Sequence, residues 1–96
     1  NGMVIVEMAP VAWIDAITPN PAVDTDAISF TGHGTDDHTV VRFVWYSSID
    51  GELYNGTSPD FSSSTLSNGT HTISLCVQDN NGVWSDAVSR ALTVNG

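Results

Sequence analysis

The 96-residue sequence predicts an all-β antiparallel sandwich. Three observations carry that expectation. Apolar residues recur with a period of two, turn dipeptides interrupt the runs every ~8–12 residues, and no segment carries a helical stripe with caps. Strands are expected over 11–17, 26–32, 40–47, 52–54, 60–65, 70–78 and 87–94. The first follows Pro10. The second, Ala27-Ile28-Ser29-Phe30-Thr31, alternates small or polar with apolar residues after the Pro19-Asn20-Pro21 break. In the third, Val41, Phe43 and Trp45 share one parity and leave Arg42, Val44 and Tyr46 on the other face. Asp50-Gly51 is a turn dipeptide that accepts positive φ, so 52–54 reads as a short returning strand and 60–65 as a weak one. Asn68-Gly69 and Asn81-Gly82 bracket the sixth strand, in which Ile73, Leu75 and Val77 point to one side. In the last, Leu92 and Val94 face inward, and Arg90 shares their parity, so its guanidinium has to reach the rim or a bulge.

About seven strands in this order describe an immunoglobulin-like sandwich, with Trp45 as the anchoring indole of the third strand. The core expected from parity is Ile28, Phe30, Val41, Phe43, Trp45, Ile73, Leu75, Val77, Leu92 and Val94. Residues 10–96 make one domain. Residues 1–9 read as a linker, an extra edge strand or the tail of a preceding module, and the chain reads as part of something longer.

Charge narrows the function. Eleven Asp and Glu stand against two cations, Arg42 and Arg90, for a net charge of −9 with no lysine. A nucleic-acid binder needs a basic footprint to displace counterions from phosphates, and an anionic membrane surface needs the same. Both partners are excluded, and no run approaches the ~20 apolar residues of a membrane span. Cys76 is the sole cysteine, so no intrachain disulfide forms; it reads as a small filler residue.

Four stretches resemble the polycystic-kidney-disease (PKD) type domain of bacterial and archaeal surface proteins. They are Ala12-Trp13-Ile14-Asp15-Ala16-Ile17-Thr18-Pro19, Phe30-Thr31-Gly32-His33-Gly34-Thr35-Asp36, Trp45-Tyr46-Ser47-Ser48-Ile49-Asp50-Gly51 and Gly69-Thr70-His71-Thr72-Ile73-Ser74-Leu75, the last continuing into Val77-Gln78-Asp79. The resemblance runs from Pro10 to Val94. It implies an extracellular, non-catalytic module, a spacer or adhesive unit of S-layer-like proteins and secreted hydrolases, often in tandem. It also implies, for some members, calcium held between the second and third strands in a loop reading Asp-x-Asp-Gly. Here that loop reads Thr35-Asp36-Asp37-His38-Thr39, one residue shorter and without the glycine. His71 stands where many relatives carry Tyr.

No cofactor is required by these residues, and calcium is the one to consider. It takes six to eight oxygen ligands, and Asp36, Asp37 and Asp79 lie in loops that a sandwich of this topology gathers at one end. The competing reading is that Asp and Asn stabilise turns by bonding their own backbone, and we take the acidic loops as turns first. His33 and His38 flank the same loop, but two histidines are too few for zinc. No nucleophile elbow accompanies the abundant serines, so no catalytic residue is named. Trp13, Tyr54 and Trp84 fall at strand ends, a turn or outward positions and are the candidate ligand surface, since exposed rings stack on apolar faces of a polysaccharide or protein. Trp84 could equally cover the open end of the sandwich. Asn55 and Asn68 head two glycosylation sequons in expected loops.

The expectation is a non-catalytic extracellular, cell-surface or secreted module that spaces neighbouring domains and makes protein contacts. Its outward surface carries Arg42, Val44, Tyr46, Ser74, Cys76 and Gln78. The alternative is an accessory module of a secreted hydrolase that holds polysaccharide or a protein substrate.

Overall fold

The computed structural model describes residues 9–36 and 39–96; residues 1–8, Asp37 and His38 lie outside the described set. Eight strands run in chain order among the described residues: β1 (Val11–Thr18), β2 (Ala22–Val23), β3 (Ile28–Thr35), β4 (Val40–Ser47), β5 (Gly51–Gly56), β6 (Phe61–Ser63), β7 (Gly69–Asp79) and β8 (Val88–Asn95). They form two packed sheets, a three-stranded one in the order β1-β3-β6 and a five-stranded one in the order β2-β8-β7-β4-β5. The chain is an all-β immunoglobulin-like sandwich.

The first strand splits between the sheets. β1 pairs antiparallel with β3. After Pro19-Asn20-Pro21 the chain crosses over, and β2 pairs parallel with the end of β8 through Ala22 and Val23 beside Val94 and Asn95. Asn20 prepares that crossing: its Nδ2 donates to the Ala91 carbonyl (2.8 Å) and its Oδ1 accepts from the Thr93 amide (3.2 Å). β2 is absent from the sequence reading because two residues between prolines and Asp24 show no periodicity.

The inner faces close on Ile28, Phe30, Phe43, Trp45, Ile73, Leu75, Val77, Leu92 and Val94, joined by Ala12, Ile17, Ala22 and Leu66. Trp45 is the centre. Phe30 meets it edge-on at 5.6 Å, Phe61 lies tilted at 5.8 Å, and its indole N–H donates to the Pro59 carbonyl (3.2 Å). Phe61 in turn stacks on Phe30 (4.5 Å) and on Tyr54 (5.3 Å), so the weak β6 contributes an aromatic lid to the core.

Two register shifts correct the parity reading. Between Val40 and Arg42 the β4–β7 ladder slips by one residue. A one-residue slip turns side chains to the other face, so Val40 packs on the core and Val41 is 38% exposed. Val41 is therefore not a core residue. A second shift, between Trp45 and Tyr46 in the β4–β5 ladder, pairs Trp45 with Tyr54. Tyr54 consequently packs against the core and is not an exposed ligand platform.

β3 runs three residues past its expected end, through Gly32 and Gly34. Those glycines do not break the strand; they let neighbours approach. A Cβ on Gly32 would lie 2.6 Å from the Trp13 carbonyl oxygen and 3.1 Å from the Trp45 ring. Arg90 reaches a bulge, as its parity requires: its Nη2 and Nη1 donate to the carbonyls of Ile14 (2.9 Å) and Asp15 (3.3 Å), where the β1–β3 register shifts. Among the described residues no helix is long and apolar enough to cross a membrane.

Candidate functional site

The starts of β1 and β8 lie together, since Pro10, Val11 and Ala12 share a cleft of about 190 Å³ with Asp86 and Val88. The two strands run the same way in opposite sheets. Pro10 therefore enters at one end and Asn95 leaves at the other. The entering end also carries the β3–β4 and β7–β8 loops, tied by the Asn80 amide to the Thr39 carbonyl (2.9 Å).

The acidic loops meet at that end, as the sandwich topology requires. Asp79 is buried, and its Oδ1 accepts the amides of Asn81 and Val83, both at 2.9 Å. Gly82 follows with φ +86°, and its N–H returns to the Asp79 carbonyl (3.1 Å). Asp79 is thus an organiser of the Asn81-Gly82 turn. Asp36 follows β3 in the neighbouring loop, and Asp37 and His38 lie outside the described residues. Among the described residues no three His, Cys, Asp or Glu side chains gather around a point that could hold a metal ion.

A serine–histidine pair exists, but in the core. Ser47 and His71 are fully buried; Ser47 Oγ lies 2.6 Å from His71 Nδ1, and His71 Nε2 lies 2.7 Å from the Ser67 carbonyl. A carbonyl only accepts, so Nε2 carries the proton and Nδ1 accepts from Ser47. Ser47 Oγ also receives the amides of Ile49 (3.0 Å) and Asp50 (3.2 Å). Every polar atom in this group has a partner, and no substrate can reach the hydroxyl. It is a turn-holding network. Asp50 extends it outward: Oδ1 takes the Ser67 hydroxyl (2.6 Å) and Oδ2 the Ser67 amide (2.9 Å). The hydroxyl bond, then the amide bond, hold its carboxyl below the usual value, while the slight burial opposes them.

The aromatic candidates part company. Trp13 stands on the outer face of the three-stranded sheet, Trp84 beside Gln78 on the five-stranded sheet, and Tyr54 faces inward. They do not form one platform. Trp13 is 49% exposed yet held on two sides: its ring runs parallel to His33 at 5.9 Å, and its Nε1 donates to Thr35 Oγ1 (3.3 Å). His33 Nδ1 lies 2.9 Å from Asp15 Oδ2. Asp15 sits at the β1 bulge whose carbonyls Arg90 grips. Thr35, Trp13, His33 and Asp15 thus form a supported polar–aromatic patch on the outer face of the three-stranded sheet. The sequence reading named Trp13 and missed its partners; the alternation of β1 against β3 is the signal that could have found them.

The outer face of the five-stranded sheet has three cross-strand pairs in register: Arg42 with Gln78, Val44 with Cys76, and Tyr46 with Ser74. All six residues assigned to an outward surface lie there. Trp84 (44% exposed) adds an aromatic at one corner, and Tyr46 (51%) stands near the end of β4. Burial, and secondarily the nearby Asp86, push the Cys76 thiol up, which lowers its thiolate fraction at neutral pH. Asn55 is not in a loop: it lies within β5, with Oδ1 taken by Arg42 Nη1 (2.7 Å). Asn68 lies just before β7, exposed.

No family model and no curated protein matches the chain. Solved structures do. A chain from work on the promiscuous specificity of carbohydrate-binding modules of the β-sandwich superfamily matches with a TM-score of 0.83 at 23% identity, over 96% of this chain and 36% of that one. The fibronectin(III)-like modules of Clostridium thermocellum CbhA match at 0.78 and 20% identity, over 97% of this chain and 49% of that one. This chain therefore spans a third to a half of the length of those two. The PKD1 domain of the Vibrio cholerae metalloprotease PrtV matches at 0.69 and 20% identity, over 93% of this chain and all of that domain. The PKD1 domain of Vibrio anguillarum Epp does so at 0.69 and 23%, over 94% of this chain and 98% of that domain. Residues from β1 to β8 thus adopt the PKD-type, immunoglobulin-like sandwich fold.

Proposed function

We propose that this domain is a non-catalytic spacer of a larger extracellular protein, built to carry load between neighbouring domains. The observation that supports this most directly is the parallel β2–β8 pair. Tension applied at Pro10 and Asn95 draws β2 and β8 in opposite directions along their shared ladder. Their hydrogen bonds, with the two from Asn20, are then loaded in shear together instead of being unzipped one at a time. The ends are also set well apart, since the 11-residue β7 alone spans roughly 36 Å at ~3.3 Å per residue. The apolar cleft at the entering end offers a seat for the preceding domain. Single-molecule stretching between residues 9 and 96 tests the reading. One abrupt high-force event is expected, with the force falling in Asn20→Ala. Low-force unravelling unaffected by that substitution would remove the mechanical role.

A second reading has its own observation. Trp13 is exposed, yet its ring is fixed by His33 and Thr35, so little conformational entropy is lost when a ligand stacks on it. That supports an accessory polysaccharide-binding role, in keeping with the carbohydrate-binding modules named for the first structural match. Retention on insoluble polysaccharides, lost in Trp13→Ala and unaffected by Trp84→Ala, is the expected result. Retention indifferent to Trp13 counts against it.

A further inference from the structure

Resting on this second reading, we infer that the Trp13 patch selects glycans that carry free primary amines over neutral or acidic ones. Three features combine. An exposed indole face attracts an ammonium group through the ring quadrupole, and tryptophan does so best of the aromatic side chains. Beside it stands the Asp15 carboxylate. Arg90 directs two of its donors to the backbone carbonyls of Ile14 and Asp15. The carboxylate meets the His33 ring, 2.9 Å away on the same patch.

The third feature is the field of the whole chain. A net charge of −9 with no lysine draws cations and repels uronate or sulfate polymers before any contact forms. The rest of the patch suits a sugar ring. Ser29, Thr31 and Thr35 alternate outward along β3 with His33, giving hydroxyls beside the ring that takes the sugar's C–H face. An amino-sugar unit would thus cover Trp13 so that its ammonium lies over the indole on the side of Asp15.

The test measures binding of three oligomers of equal length by calorimetry: β-linked glucosamine, its N-acetylated counterpart, and a uronic-acid oligomer. The wild-type chain is expected to bind the free-amine oligomer roughly tenfold tighter than the acetylated one, from an exposed cation–π contact plus one exposed charge pair. The uronic-acid oligomer should not bind. Trp13→Ala should abolish binding and Trp13→Phe restore part of it. Asp15→Asn should bring the two affinities together. Both positions are exposed, and unchanged melting of each variant checks that the sandwich is intact. Equal wild-type affinities for the amine and acetylated oligomers, both lost in Trp13→Ala, would overturn the amine preference and leave the polysaccharide reading standing. Amine binding that persists in Trp13→Ala is bulk attraction to an acidic chain and overturns the proposal. Failure of all three oligomers to bind ends both for these sugars.

Discussion

Trp45→Ala is the sharpest probe of the architecture. The indole is fully buried and touches both sheets through Phe30, Phe61 and the close-approaching Gly32. Truncation leaves a cavity that β3 and β4 cannot collapse into without breaking their ladders. Large-to-small aromatic changes of this kind cost ~3–5 kcal/mol, made up of lost transfer energy and the residual void. The Pro59 carbonyl also loses its donor; it is half-buried, so water can replace part of that bond. A domain of this size holds ~5–15 kcal/mol in all, so most of the margin is at stake. At roughly 4–8 °C per kcal/mol the midpoint should fall by about 12–40 °C. The assay is a reversible thermal melt followed by far-ultraviolet circular dichroism, with Trp13→Ala as reference because that ring is exposed. Trp45→Phe separates the parts: it keeps an aromatic filler and loses the N–H, and should cost about 1–2 kcal/mol. A midpoint for Trp45→Ala no lower than that of Trp13→Ala would refute the placement of Trp45 at the centre of the sandwich.

Other outcomes follow from the same contacts. Gly32→Ala should destabilise by more than 1 kcal/mol, because its methyl meets the Trp13 carbonyl and Trp45 together; a neutral result in denaturant titration would mean that β1 and β3 sit further apart. Asp79→Ala should cost about 1–3 kcal/mol by stripping the Asn81 and Val83 amides of their acceptor, equally in calcium and in chelator. A loss confined to calcium would instead make this carboxylate a metal ligand. His71→Phe should destabilise, since Ser47 loses the acceptor for its proton, and nitrogen NMR of the wild type should show the Nε2–H tautomer; the Nδ1–H form would contradict the network. Asp50 has a carboxyl held below its usual value, so its contribution is present above about pH 4 and is lost as pH falls through the lower folded-state value. Asp50→Asn should therefore flatten the acid limb of a stability–pH curve, slightly because the group is exposed, and an unchanged limb would discount the Ser67 bonds.

Much of this fold is legible in the sequence. Period-two runs identify the long strands because a half-buried sheet must alternate, and Phe30, Trp45, Leu75 and Leu92 fall inward on that rule. Arg90 is a telling case: an arginine at an inward parity has to find carbonyls, and it finds those of the β1 bulge. Two misreadings share one cause. Val41 and Tyr54 sit next to register shifts, which depend on how β4 meets β7 and β5 and leave no mark in β4 alone. Gly34 lies beyond the expected end of the strand, yet it and Gly32 serve the approach of β1 and the core side chains.

Composition and alternation, both local properties, determined that this chain is an acidic β-sandwich with an aromatic centre. Three things were decided only by tertiary structure: that Trp13 and Trp84 stand on opposite sheets, that His33 and Asp15 support the first of them, and that β2 lies parallel to the end of β8. Each depends on pairing between residues tens of positions apart, where a one-residue slip reverses which face a side chain occupies.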